Sequence, residues 1–297
     1  MRPAVVAHAG KQLGGGLPEL RRLLAEQGFE DPLWFEVPKA KRAPAAVEAA
    51  IEAGADLILA WGGDGMVRRC VNALADTQIP LGILPAGTAN LLANHLGIEA
   101  DLGGALRTAL RGERRRLDVG RFEGERFAVM AGAGLDAAMI RGADELKDRL
   151  GRVAYVFSGA ANLTSESFEA RIEVDGTLWY EGPASCVLVG NIGELFGGIE
   201  VFADAAPDDG LLDLGLLTAE GPLQIARAAA RTVAGDTHKS PFVRVTKARK
   251  VRVELDRKVR YELDGGDRKK VKSFKVKVEP GAITVCVPAA GGGKGKR

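Results

Sequence analysis

Three cysteines, three histidines and an aromatic share of 5% are what these 297 residues have least of. Cys70, Cys186 and Cys286 are odd in number, scattered, and free of metal-ligand spacing. That excludes a disulfide framework and points to thiols serving as small apolar fillers in a reducing compartment. His8, His95 and His238 show no metal-binding spacing either. No apolar run reaches the ~18 residues of a membrane-spanning helix. The opening "MRPAVVAHAG" runs straight into a strand pattern without a signal-peptide apolar stretch, so the expectation is a cytoplasmic protein. Internal repeats are absent. The net charge is only +2, too little single-sign field for the whole chain to be a nucleic-acid binder.

What is present is enough to fold. Hydrophobic residues make up 46% of the chain and glycine is abundant, with 39 residues, which suits a loop-rich α/β protein. Charge is uneven. Residues 239–297 hold 18 Lys and Arg against 6 Asp and Glu, a net +12, leaving −10 for the remainder. Over the first 118 residues, strand patterns at 4–7, 33–37, 57–61 and 80–84 alternate with helical patterns at 17–27, 43–53, 67–75, 89–95 and 104–111. Such alternation predicts a parallel sheet with right-handed crossovers and ligands beyond the carboxyl ends of its strands. From residue 119 to 288, short β-rich runs punctuated by Asp175-Gly176 and Asp264-Gly265 predict an antiparallel sandwich, with helices near 149–163 and 222–234. Residues 289–297, "AAGGGKGKR" with its glycine-lysine end, read as a flexible basic tail.

One stretch asks for chemistry. "LILAWGGDGMVRRCVNAL" is an apolar strand, then Gly62-Gly63-Asp64-Gly65, then a helix. Glycines let a backbone approach a phosphate closely, and a helix beginning directly afterwards adds unpaired N–H groups and a positive dipole end. Asp64 is out of place beside a polyphosphate unless it meets Mg²⁺ or accepts a proton. The plain alternative is a tight turn capped by an acid. A second turn, "PLGILPAGTANLLANHLGI", repeats the logic, with Thr88 either capping a helix or bonding a phosphate oxygen. A third, Gly14-Gly15-Gly16 after Lys11, is not a Walker A loop and reads equally well as a flexible loop. "VFSG" around Ser158 lacks the first glycine of a nucleophile elbow.

These turns, with "LDVGRF", "AGAGLDAAM", "NIGELFGGIEVFADAAPDDGLLDLGLL" and "ELDGG" following in order, resemble the diacylglycerol kinase catalytic family. That family includes bacterial lipid kinases, sphingosine kinases and ceramide kinases. The resemblance implies a three-layer α/β nucleotide-binding domain related to NAD kinases and phosphofructokinases, followed by a β-sandwich, with the active site in the cleft between them. It implies ATP and Mg²⁺, transfer of the γ-phosphate to a lipid alcohol such as diacylglycerol, and a homodimer as one compatible assembly. By matched position, Gly62, Gly63, Asp64, Gly65, Met66, Val67 and Thr88 would contact ATP, with Asp64 and Asp264 catalytic. Asp136 would contact the acceptor. Asp209, with the carbonyls of Ala206 and Leu211, would hold a structural Mg²⁺; the plain alternative is a solvated turn.

The sequence departs from the family pattern in four places. Met66 replaces a threonine, His8-Ala9 an early Asn-Pro, Pro38 a polar position, and Gly266 the glutamate of Asp-Gly-Glu. Asp264 remains, and Asp267 follows one residue beyond. The departures keep two further readings open: a nucleotide- or lipid-binding member with impaired catalysis, and a NAD kinase-like enzyme with a soluble substrate. The basic residues Lys247, Arg249, Lys250, Arg252, Arg268, Lys269, Lys270 and Lys272 suggest peripheral contact with an anionic membrane surface. A solvated β-surface whose lysines guard its edges explains them as well.

Overall fold

The computed structural model describes residues 1–134, 167–195, 199–233 and 235–289. The expected helix near 149–163, with Asp136, and the tail from residue 290 lie outside them. The described chain forms two compact units, Met1–Leu117 with the chain from Gly281 onward, and Asp118–Pro280.

In the first unit strand and helix alternate: β1 (Pro3–His8), α1 (Gly16–Glu26), β2 (Leu33–Val37), α2 (Ala43–Glu52), β3 (Leu57–Gly62), α3 (Asp64–Leu74), β4 (Leu81–Pro85), α4 (Leu91–His95) and α5 (Leu102–Arg111). The strands pair in parallel in the order β2-β1-β3-β4. Every residue of β3 and β4 is buried. Successive residues of a strand point to opposite faces, so burial of all of them means both faces of the sheet are covered. Helix α3 starts three residues earlier than its apolar periodicity suggested, which makes Asp64 its first residue and places Gly65 inside it.

The second unit is antiparallel and begins in β5 (Glu113–Phe122), which crosses its boundary. Next come β6 (Glu125–Phe127), β7 (Met130–Ala133), β8 (Phe168–Val174), β9 (Thr177–Ala184), β10 (Cys186–Gly190), β11 (Glu194–Leu195) and β12 (Ile199–Glu200). They are followed by β13 (Leu212–Leu217), the helix Gly221–Val233, β14 (Val243–Ala248), β15 (Lys250–Leu263) and β16 (Gly266–Val287). Among the β-rich runs expected to be short, β15 and β16 are long, at 14 and 22 residues. Strand β15 pairs with β8 through Val251–Leu255 and with β7 through Tyr261–Leu263, and its register against β16 slips between Glu254 and Val259. The slip lets one strand serve both layers of a sandwich. Phe122 stacks on Tyr261 and Phe274, at 4.5 and 4.6 Å between ring centres. These rings anchor a core with Phe127, Phe168, Ile172 and Leu214.

The end of β16 lies in the first unit, where Val285 pairs in parallel with Leu81. The alternation in 283–287 is as good for a sandwich strand as for an added strand of the α/β sheet, so only pairing could separate them.

Candidate active site

The two glycine turns of the first unit touch. Gly62 ends β3 opposite Pro85 at the end of β4, and its carbonyl accepts a hydrogen bond from the Ala86 N–H at 3.0 Å. A Cβ on Gly63 would stand 2.9 Å from the Gly87 Cα, and one on Gly87 2.3 Å from the Gly63 Cα. Glycine is therefore required at both because backbone lies on backbone. Asn90, in the left-handed region with φ 47° and ψ 46°, braces the second turn. Its Oδ1 accepts from the Gly87 N–H at 3.0 Å, and its Nδ2 donates to the carbonyls of Gly87 (2.8 Å) and Pro85 (3.1 Å).

Asp64 joins the turns. It sits at the N-terminus of α3, yet its Oδ1 accepts from the Leu91 N–H, the first amide of α4, at 2.7 Å. Burial raises its pKa above the ordinary carboxylate value, opposed by the amides of Leu91, Asp64 itself, Leu92 and Asn90. The result is an oriented, partly desolvated carboxylate that holds a proton more readily than a surface acid.

Gly65 has a different setting. A Cβ there would meet nothing within 4 Å. Of the first four amides of α3, those of Met66 and Val67 donate to the Gly63 carbonyl and that of Asp64 turns to its own carboxylate, so the Gly65 N–H is the donor beside open space. Thr88 is exposed and makes no side-chain hydrogen bond among the described residues; the cap position of α4 belongs to Asn90, not to Thr88. Met66 and Val67, expected among the nucleotide contacts, follow Gly65 in α3. Their side chains are buried in the core, and their amides donate to the Gly63 carbonyl at 2.8 and 3.1 Å. Met66 lies where a Gly62 Cβ would fall, 2.5 Å from its own Cβ, so the missing threonine hydroxyl is a buried thioether. In the third loop Glu19 already accepts from the Gly15 N–H at 2.5 Å.

In the second unit Asp264 occupies the first position of the β15–β16 turn with φ 46°. Its Oδ1 accepts from the N–H groups of Val129 (3.0 Å) and Met130 (2.9 Å), its Oδ2 from Ala128 (3.0 Å). A carboxylate engaged by three amides is held as a structural clamp, with three of its roughly four lone-pair sites in use. The side chain of Asp267 lies outside the described residues. In front of Gly266, Arg268 donates to the Gly266 carbonyl at 3.1 Å and forks onto Glu125 at 2.9–3.2 Å. A side chain at 266 would begin 3.0 Å from that guanidinium.

A buried polar thread, missed from sequence, runs from this clamp toward the Asp209 turn. Asn191 Nδ2 donates to the carbonyls of Ala128 and Asp118, and Asp118 Oδ2 accepts from the Gly210 N–H at 2.7 Å. The available signal was a polar residue inside an apolar run, in "LDV" and "GNI". Asp209 does not fit the expected magnesium site. Its Oδ1 accepts from the Leu211 N–H at 2.9 Å, and its Oδ2 lies 2.6 Å from the Lys247 ammonium. A divalent ion on that oxygen would stand beside a bound cation. Burial, partly opposed by Lys247 and reinforced by Asp209 and Asp204, pushes the neighbouring Asp213 up to about 6. Burial tends to lower the pKa of Lys247, but its bond to Asp209 and the Asp213, Asp209 and Asp204 charges outweigh that and raise it.

Two family models match this chain. Residues 5–122 match the diacylglycerol kinase catalytic domain, and residues 129–287 the YegS C-terminal NAD kinase beta sandwich-like domain. A Bacillus subtilis protein named diacylglycerol kinase is 33% identical over 79% of this chain and 78% of its own. A Pseudomonas savastanoi protein named "Probable lipid kinase YegS-like" is 30% identical over 97% and 94%.

The chain belongs to the diacylglycerol kinase family.

An uncharacterized protein of Synechocystis is 36% identical over 68% of this chain, which spans only 47% of that relative's length. The fold agrees with a crystal structure of a diacylglycerol kinase from Bacillus anthracis, with a TM-score of 0.77, 24% identity and 96% of each chain covered. An Archaeoglobus fulgidus NAD kinase solved with ATP shares the fold more distantly, with a TM-score of 0.55 at 13% identity over 96% of this chain and 93% of that one. As a diacylglycerol kinase family member the chain is a phosphotransferase with an alcohol acceptor.

Proposed function

We propose that this chain is a lipid kinase that transfers the γ-phosphoryl group of Mg-ATP to the hydroxyl of a lipid alcohol such as diacylglycerol. The observation that carries the proposal is the fused pair of glycine turns, with Asp64 bridging them and the start of α3 open at Gly65. Family membership supports the lipid acceptor. Phosphate oxygens would lie against the Gly65 amide at the start of α3 and near Thr88, where backbone dipole and close approach favour anions. The bond from the γ-phosphorus to the bridging oxygen of ADP breaks as the bond to the lipid oxygen forms. The hydroxyl proton passes to Asp64, whose raised pKa suits a base. Mg²⁺ bound with the nucleotide would supply neutralisation of the phosphate charge.

The lipid reaches the enzyme at a membrane surface. No helix among the described residues is long and apolar enough to cross one. The outward face of the β15–β16 hairpin offers contact instead. Lys250 stands opposite Lys277, Arg252 opposite Lys275 and Arg260 opposite Lys270, all six exposed. Arg252 already pairs with Glu254 and Lys277 with Glu279; the exposed Lys250, Lys270 and Lys275 on the same hairpin add positive charge that would favour an anionic partner. Lys247 and Arg268, counted with this surface on sequence, are engaged by Asp209 and Glu125 instead.

Labelled ATP offered with diacylglycerol, other lipid alcohols, sphingoid bases and NAD tests the proposal. Label in a lipid product is the expected result; label in NAD alone would refute it. Because Asp264 is committed to three amides and Gly266 lacks a carboxylate, a second reading is a member that binds ATP with little turnover. ATP binding without transfer to any acceptor would establish that one.

A further inference from the structure

We infer that Lys247 is the built-in cation of the second unit, and that its ammonium does at Asp209 what the family resemblance assigns to a divalent ion. Its position is set by the backbone before any side chain is considered. In the β13–β14 pairing Lys247 is directly opposite Asp213. From there Nζ donates to Asp209 Oδ2 at 2.6 Å and to the Asp204 carbonyl at 2.7 Å, and lies 3.8 Å from Asp213 Oδ2. One ammonium thus ties strand β13 to the turn that precedes it through three oxygens. Lysine offers three donors and one positive charge. That is the inventory needed where a carboxylate with only 7% of its side chain exposed, Asp213, shares a corner with Asp209 and a carbonyl. A buried carboxylate left without a counter-charge is strongly destabilising.

The same contacts argue against a metal there. Oxygen-ligated Mg²⁺ lies about 2.1 Å from each ligand and demands near-octahedral geometry. Asp209 Oδ2 is already within hydrogen-bond distance of an ammonium, and Oδ1 faces the Leu211 amide. Holding an ion would require Lys247 to swing away and leave Asp213 behind. The second unit is therefore metal-independent, whatever ion accompanies the nucleotide.

The test uses the full chain without nucleotide or lipid, so its outcome does not depend on kinase activity. Thermal unfolding is followed in EDTA, in millimolar MgCl₂ and in millimolar CaCl₂. The wild type is expected to unfold at the same temperature in all three. Lys247→Met, which keeps the stem and loses the charge, should unfold several degrees lower and recover part of the loss when either ion is added, as linkage to a newly created site requires. Lys247→Arg should remain insensitive to both. A Mn²⁺ titration monitored by electron paramagnetic resonance gives a second measurement if Lys247→Met does not fold. No stoichiometric Mn²⁺ on the wild type upholds the inference. Stoichiometric Mn²⁺ abolished by Asp209→Asn, or a wild-type midpoint that drops in EDTA, overturns it.

Discussion

Asp64 carries two loads. It accepts the Leu91 amide, and under the proposed function it also receives a proton. Asparagine retains an oxygen for the amide but cannot act as a base. Asp64→Asn is therefore expected to lower turnover about 10²–10⁴-fold with an unfolding temperature close to wild type. Asp64→Ala, lacking any acceptor, should lose the same activity plus about 1 kcal/mol of stability. Equal activity of wild type and Asp64→Asn in steady-state assays would remove Asp64 from the chemistry. Asp213 makes a separate, pH-dependent contribution. Its folded-state pKa of about 6 exceeds the ordinary 3.8, so the folded chain binds its proton more tightly than the unfolded chain. The stability that this provides is fully present below pH 3.8 and is lost as pH rises through about 6. Between those limits the slope approaches 1.4 kcal/mol per pH unit. Denaturant unfolding of wild type minus Asp213→Asn should show that fall and flatten above pH 7. A difference independent of pH would contradict it.

At the level of elements, the glycines of the two turns separate into those the protein needs and one it does not. A Cβ at Gly87 would collide with the Gly63 backbone, and neither main chain can retreat without breaking the Gly62–Ala86 bond. Gly87→Ala should cost about 1–3 kcal/mol and disrupt nucleotide binding together with the fold. Gly65→Ala meets open space inside a helix, where alanine is intrinsically better by about 1 kcal/mol. It should leave stability equal or higher while weakening ATP binding, measured by calorimetry. Unchanged ATP affinity in Gly65→Ala would mean that the phosphates lie elsewhere. Strand β15 shows how an element's length escapes sequence reading. Its apolar alternation breaks at Asp256-Arg257-Lys258, which looks like a loop, but the backbone continues through the register slip because it pairs with β8 before it and β7 after it.

On the scale of the whole molecule, the charge imbalance read along the chain becomes a face. Neutralising Lys250, Lys270 and Lys275 to glutamine should weaken binding to vesicles rich in anionic lipid about five-fold per residue, since each near-surface charge contributes about 1 kcal/mol. Added salt should weaken the wild type in parallel. Equal cosedimentation of wild type and triple variant with anionic and neutral vesicles would refute membrane docking through this hairpin. The lysines that face outward in β16 alternate with Phe274, Val276 and Val278, so the same strand supplies core and surface.

The two-part architecture was legible because period-3.6 and period-2 hydrophobic patterns are local, and the glycine turns because glycine followed by a helix start is a local signal. Those patterns named Gly62, Gly63, Asp64 and Gly65 without coordinates. They could not tell that Gly63 and Gly87 exclude side chains by resting on each other, since 24 residues separate them in the chain. Nor could they show that Asp264 would be consumed by three amides from residues 128–130, or that Lys247 would reach Asp209. A carboxylate's chemistry depends on which donors arrive around it, and that is set by strand register and turn packing between distant segments, which only the tertiary structure decides.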